Sequence, residues 1–233
     1  MGDARDQSDQ PLLREPETNQ RPGWSLDAAG FQLLSQRLDD LEHLPQRDAH
    51  RKAFGPELAY GRHFGPPSPD AKPAAVMIML ARGQGARWEI PLTVRPDSLP
   101  DHPGQISLPG GRVEKGETYL QAAQREFCEE LGVPEFPGTI LGGLRPIYVF
   151  NSNYRVAPFV AYCDVSLSYQ PCPVEVARVL PLPVDHMLAP TNRVTRAFKR
   201  GKVEWTAPGI RLGSDFVWGA TALILADLLP LLE

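Results

Sequence analysis

The chain has 233 residues, long for one small domain and short for two large ones, so one catalytic-sized domain with appendages is expected. Hydrophobic residues make up 42% and charged residues 22%, enough apolar material for a core, which excludes disorder of the whole chain. A formal net charge of −4 leaves no surplus of Lys and Arg to gather phosphates along a duplex, so a nucleic-acid-binding module is not expected.

Cys128, Cys163 and Cys172 cannot build a disulfide framework and follow no CxxC spacing, which points to a reducing, cytoplasmic setting. The 25 prolines are about twice the usual ~5% and imply many loops and short elements. No apolar h-region opens the chain. The longest apolar stretch, 216–232, is broken by Gly219, Asp227 and Pro230 and falls short of the ~20 residues a bilayer needs, so no membrane partner is expected.

In chain order, residues 1–23 have the composition of a flexible tail. Leu26, Phe31, Leu33, Leu34, Leu38, Leu41 and Leu44 follow helical spacing after Ser25 or Asp27, and Pro45 closes that helix. Residues 45–73 read as a long connection with a short helix near 56–60. Together 24–73 form a helical leader packing on a core domain of 74–233. Residues 74–80, AAVMIML, suit a central strand; Trp88, Ile90, Leu92 and Val94 alternate as a half-buried strand, with a turn at 82–87. Further strands are expected at 138–144, 146–150, 154–165 and 175–181, and a last helix at 215–229.

Between the strands, Thr118 and Gln121 form a capping-box pattern. Leu120, Ala123, Phe127 and Leu131 give an apolar face, and Gly132, Val133 and Pro134 stop the helix, predicted over 118–131. Its other face carries Glu126, Glu129 and Glu130 at i, i+3 and i+4. Like charges so placed repel by a few tenths of a kcal/mol per pair, near the end of the helix that the dipole makes unfavourable to anions. A hard divalent cation would compensate. A bare ExxEE is more often a solvated acidic face.

The context decides between the two. From Gly111 the chain reads Gly, five residues, Glu117, seven residues, Arg125-Glu126, apolar Phe127, one residue, Glu129-Glu130, one residue, Gly132, apolar Val133. This is the full box of the Nudix hydrolases, with a chance frequency of roughly one in a billion per start position at average composition. The resemblance implies an α/β (α+β) fold, an α/β/α sandwich with a mixed β-sheet and a loop–helix–loop catalytic motif. It implies Mg²⁺ or Mn²⁺ and hydrolysis of a nucleoside diphosphate linked to another moiety. By that resemblance Glu126 and Glu130 are primary metal ligands and Glu129 ligates an additional ion. Arg125 orients glutamates, and Glu117 lies in the outer shell. Gly110 offers a carbonyl ligand and, with Gly111, close backbone approach.

Residues 91–111, PLTVRPDSLPDHPGQISLPGG, are similar to the signature of Nudix coenzyme A pyrophosphatases at Leu92, Thr93, Arg95, Gly104, Pro109, Gly110 and Gly111. They depart from it at Pro91, Pro96, Pro100 and Leu108. Residues 156–160 and 216–225 also resemble that subfamily. The expected substrate is therefore coenzyme A or acyl-CoA, with Arg95, Gly111 and Arg112 at the ligand. The alternatives are hydrolysis of ADP-ribose or another nucleoside diphosphate derivative, and a catalytically silent binding module, against which the intact glutamate set speaks. His102 reads as a loop residue, Trp218 as core rather than a stacking platform, Glu175 as a strand-edge surface glutamate and Cys128 as filler. A homodimer is left open.

Overall fold

The computed structural model describes residues 10–11, 26–41, 47–55, 57, 62, 65–98 and 104–233. Along the chain run β1 (Gln10–Pro11), α1 (Ala28–Asp39), α2 (Arg47–Ala53), β2 (Lys72–Arg82), β3 (Trp88–Val94), β4 (Ile106–Ser107), β5 (Gly110–Arg112), α3 (Tyr119–Leu131) and β6 (Thr139–Gly143). There follow β7 (Ile147–Val149), β8 (Tyr154–Ser166), β9 (Arg178–Pro183), α4 (Val184–Leu188), β10 (Arg193–Arg200), β11 (Val203–Leu212), β12 (Asp215–Trp218) and α5 (Gly219–Leu232).

An apolar run without alternation needs cover on both faces, and β2 has it. It pairs parallel with β8 and antiparallel with β3 and β5 at the centre of a mixed sheet of order β4-β3-β2-β8-β6, with β7 added on β8 and β9 on β3. Ala75, Met77, Met79 and Ala81 pack under α3 against Ala122, Ala123, Phe127 and Leu131. Ala74, Ile78 and Leu80 face the other way, toward Phe31, Leu34 and Leu38 of α1 and the leucines of α5. Helices on both faces of a mixed sheet make the α/β/α sandwich that the box implied.

α1 is capped by Asp27, whose side chain accepts from the Gly30 N–H at 2.9 Å. Its Phe31 stacks on Tyr162 at 4.0 Å and meets Trp88 edge-on at 4.9 Å. The Ser35 hydroxyl donates to the Leu141 carbonyl at 2.8 Å. Among the described residues no helix is long and apolar enough to cross a membrane.

Several expectations need correction. Residues 215–218, expected to open the last helix, are the strand β12, and Gly219 (φ 67°) turns the chain into α5. α5 runs through Pro230 to Leu232, because burial on nearly every side outweighs the missing amide. The strand expected at 175–181 begins at Arg178. The connection 45–73 holds α2 at Arg47–Ala53; the short helix expected near 56–60 falls almost wholly outside the described residues. Within the supposed tail, Gln10–Pro11 pair with β10. A second, four-stranded antiparallel sheet, β1-β10-β11-β12, was not anticipated.

Candidate active site

The box helix is held at both ends by its own sequence. The Thr118 hydroxyl accepts from the Gln121 N–H at 3.2 Å, and the Gln121 side chain accepts from the Thr118 N–H at 2.8 Å. At the other end Gly132 is left-handed (φ 64°), and a Cβ there would stand 1.8 Å from the Gln170 carbonyl oxygen, so glycine is required twice over. With Phe127 and Leu131 locked into the core, Glu126, Glu129 and Glu130 must turn toward β5.

Arg125 gathers the carboxylates. Its Nη1 donates to Glu126 and to Glu129, each at 2.9 Å, while Nε and Nη2 hold both oxygens of Glu117 at 2.8 and 3.2 Å. The forked grip falls on Glu117 rather than on Glu129, where helical spacing alone would put it. Nη2 also donates to the Arg112 carbonyl at 3.1 Å, tying α3 to β5. Arg125 bonding, joined by the Glu114 N–H, holds the Glu117 carboxyl below its usual range.

Glu130 reaches deeper. Its Oε2 accepts from the Gly110 N–H at 3.1 Å. Burial pushes its carboxyl up to about 7 against that bond, and the charges of Glu126 and Glu175 add to the rise. Glu126 is also raised, by burial first, with Glu129 and Glu175 contributing against Arg125. A Cβ on Gly110 would stand 2.3 Å from the Ala75 carbonyl oxygen, so that position admits no side chain, whereas one on Gly111 would meet Glu126 Oε1 at 2.3 Å and displace that carboxylate. Beside them opens a cleft of about 290 Å³ lined by Val76, Gly110, Gly111, Arg112, Val149 and Tyr154, among others.

As they stand, no three carboxylate, imidazole or thiol groups among the described residues form a closed cage for a metal ion. The donor set nevertheless suits one. Three carboxylates project from one helix face, two meeting at a single guanidinium nitrogen and the third desolvated, with no cation bonded to it among the described residues. Hard oxygen donors of this kind take Mg²⁺ or Mn²⁺.

Arg95 leaves the end of β3 in a turn closed by Arg95 N–H to Gln105 O at 3.0 Å and Gly104 N–H to Arg95 O at 3.2 Å. Its charge reaches Glu130, and its Nε is buried with no hydrogen-bond partner among the described residues. The Arg112 side chain is exposed at the cleft. Glu175 is not at a strand edge: it sits exposed in the turn before β9, close enough for its charge to act on Glu126 and Glu130. Helical spacing cannot reveal it, because it arrives from another segment. Trp218 ends β12 and packs against Phe198, outside both hydrophobic cores. Cys128 is half-buried beside the core under α3. Pro100 and His102 lie outside the described residues.

Comparison with known proteins identifies the family. The NUDIX domain family model matches residues 71–199, over half of the chain. Nudix hydrolase 3 of Caenorhabditis elegans is 31% identical over 175 residues, 68% of this chain and 72% of that protein. The chloroplastic Nudix hydrolase 22 of Arabidopsis thaliana is 30% identical over 205 residues, 82% and 66% respectively. An uncharacterized Nudix hydrolase, NudL, of Yersinia enterocolitica is 30% identical over 138 residues, 59% and 70%. The matched span contains the whole of α3 and the mixed sheet that carries it, and the chain belongs to the Nudix family.

Proposed function

We propose that this chain, a Nudix hydrolase acting on pyrophosphate bonds, cleaves coenzyme A or acyl-CoA. Water adds across the P–O–P bridge, and the products are adenosine 3′,5′-bisphosphate and (acyl-)4′-phosphopantetheine. The observation that carries the reading is Arg95: a guanidinium whose charge acts on Glu130 and whose buried Nε has no hydrogen-bond partner among the described residues, on the segment that resembles the coenzyme A pyrophosphatase signature. A buried donor without an acceptor is costly, and a phosphate oxygen would satisfy it. Three of the four departures from the signature belong to packing: Pro91 stands opposite Pro181 in the sheet, and Pro96 and Leu108 are buried.

Glu126, Glu129 and Glu130, with the Gly110 carbonyl, would hold Mg²⁺ or Mn²⁺. The ion, when bound, offsets charge on the bridging and attacking oxygens and acidifies a water. Arg125 keeps the glutamates in place by fixing them against Glu117 and the β5 carbonyl. Gly111, lacking a side chain, lets the diphosphate approach the backbone, and Arg112 meets it at the mouth of the cleft.

The test is kcat/KM for coenzyme A, its 3′-dephospho form and ADP-ribose with Mg²⁺ and with Mn²⁺, products identified by mass. A charge-assisted contact to the 3′-phosphate predicts a preference of roughly 10- to 150-fold for coenzyme A. Equal turnover of ADP-ribose would favour the second reading, a hydrolase of ADP-ribose or a related derivative; Pro100, where the signature has a cation, is the residue that favours it. Product release from none of the three would favour a silent binding module.

A further inference from the structure

The cleft beside Gly110 opens on the side of the sheet that faces away from α3. Ala74 and Val76 of β2 stand opposite Arg112 and Gly110 of β5, and Ala74 also stands beside Val156 of β8. Ala74 and Val156 belong to the core of α1 and α5, and Val76, Val149 and Tyr154 pack against it, whereas Ala75 and Met77 turn toward α3. Gly111, opposite Ala75, turns with it, toward Glu126. So β5 separates two compartments, the glutamates on one side and the cleft on the other. Gly110 belongs to both: it lines the cleft, and its N–H donates to Glu130 at 3.1 Å. Among the described residues β5 pairs only with β2, so no further strand blocks its outer edge. A substrate with its diphosphate at the glutamates can pass one end over β5 into the cleft. At about 290 Å³ the cleft lies at the lower end of the ~300–1,000 Å³ of ligand pockets, room for one end of such a substrate and not for the whole.

The lining decides which end. It is aliphatic apart from the Tyr154 ring, Ser152 and Arg112, and the described lining residues include no carboxylate. Lys72, two residues before Ala74 on the same side of β2, stands beside Tyr154 in register, and its Nζ lies 5.7 Å from the centroid of that ring. Lys72 and Arg112 are both exposed. Asp70 lies within reach of the Lys72 charge, but its carboxylate already accepts from the Ser68 hydroxyl and from Asn153 Nδ2. A pantetheine arm carries amides and hydroxyls that aliphatic walls would leave unpaired, and beyond the diphosphate it is neutral, with no use for a cation. Adenosine with a 3′-phosphate brings flat apolar faces for the ring and the valines, and an anion for the lysine.

We propose that this cleft takes the adenosine end of the enzyme's own substrate, the base along Tyr154, and that Lys72 reads the 3′-phosphate, leaving Arg95 and Arg112 to the diphosphate. The 3′-phosphate part of the inference rests on the coenzyme A reading. Lys72 is then a specificity residue: it meets a phosphate that does not react.

The experiment is calorimetric titration of the full chain, with Mg²⁺ present, with adenosine 3′,5′-bisphosphate and with AMP, neither of which has a pyrophosphate to cleave. The parent chain should bind the bisphosphate about tenfold or more tighter than AMP. Lys72→Met, at an exposed position, should bring that ratio close to one, and Lys72→Arg should keep it. Tyr154→Leu should weaken both nucleotides about tenfold, and Tyr154→Phe should retain both. In turnover, Lys72→Met should lower kcat/KM for coenzyme A relative to its 3′-dephospho form by the same factor, through KM. Equal cleavage of coenzyme A and ADP-ribose by the parent, with the titrations as expected, overturns the coenzyme A reading alone. A bisphosphate preference that survives Lys72→Met, AMP affinity that survives Tyr154→Leu, or a parent that binds the bisphosphate no tighter than AMP overturns this inference.

Discussion

Two helices of nearly equal length lie on opposite faces of the sheet, and they are built differently. α3 has 13 residues and buries four of them, Ala122, Ala123, Phe127 and Leu131. α5 has 14 residues and buries eleven. The polar side of α3 carries three carboxylates, two of them bonded to one arginine; the one charged residue in α5, Asp227, is 1% exposed and faces Arg51 Nη1 at 3.4 Å. α3 therefore tolerates like-charge repulsion where chemistry needs it, and its hold on the core comes from one apolar stripe and two good ends. α5 supplies cohesion, joining both sheets and α2 through apolar burial with a single paired ion.

Substitutions in each helix should then separate stability from turnover. The largest effect is expected from Asp227→Ala, which strands the buried Arg51 cation. Stability should fall by about 3–5 kcal/mol in urea unfolding, while kcat of the remaining folded enzyme is kept. Replacing Asp227 and Arg51 together by leucine should lose much less. A kcat that collapses with Asp227→Ala in fully folded protein would erase the contrast between the helices. Next come Glu126→Gln and Glu130→Gln, each expected to lower kcat at least ~10²-fold with melting temperature little changed. In the same variants added Mg²⁺ should raise the melting temperature less than in the parent chain, since binding to the native state alone stabilises by mass action. Full activity at saturating Mg²⁺ would remove both glutamates from the site. Thr118→Ala opens one end of α3 and should cost about 1 kcal/mol in unfolding, with a smaller change in turnover. The smallest effect is expected from truncation to Trp24: kcat within experimental error of the full chain, despite loss of the short β1 pairing to β10. An inactive but folded truncation product would place part of the site in residues 1–23.

Legibility in the sequence followed locality. The capping box, the apolar stripe and the Gly132 stop are interactions within a few residues, so α3 could be placed to within one residue, and the carboxylates with it. β2, β3, β6, β7 and β8 were legible from apolar runs and alternation. β10 and β11 were not: Arg193, Arg196, Lys199, Arg200, Lys202 and Arg211 mask the alternation, and the pairing is held partly by stacking of Phe198 on Trp205 across the strands. The β12–α5 boundary was hidden because Phe216, Val217 and Trp218 are as apolar as the helix that follows, and apolarity without period does not separate strand from helix.

By itself, then, the sequence determined the box helix, its three glutamates, the arginine among them and the glycines that flank it, because each depends on spacing along one segment. Only the tertiary structure decided that Arg125 grips Glu117 with its fork, and that Glu175 and Arg95 arrive from the turn before β9 and from the end of β3 to act on Glu130. Arg95, Glu130 and Glu175 are far apart in the chain, and what brings them together is the parallel pairing of β2 with β8 and the burial of both faces of the sheet, which no local pattern encodes.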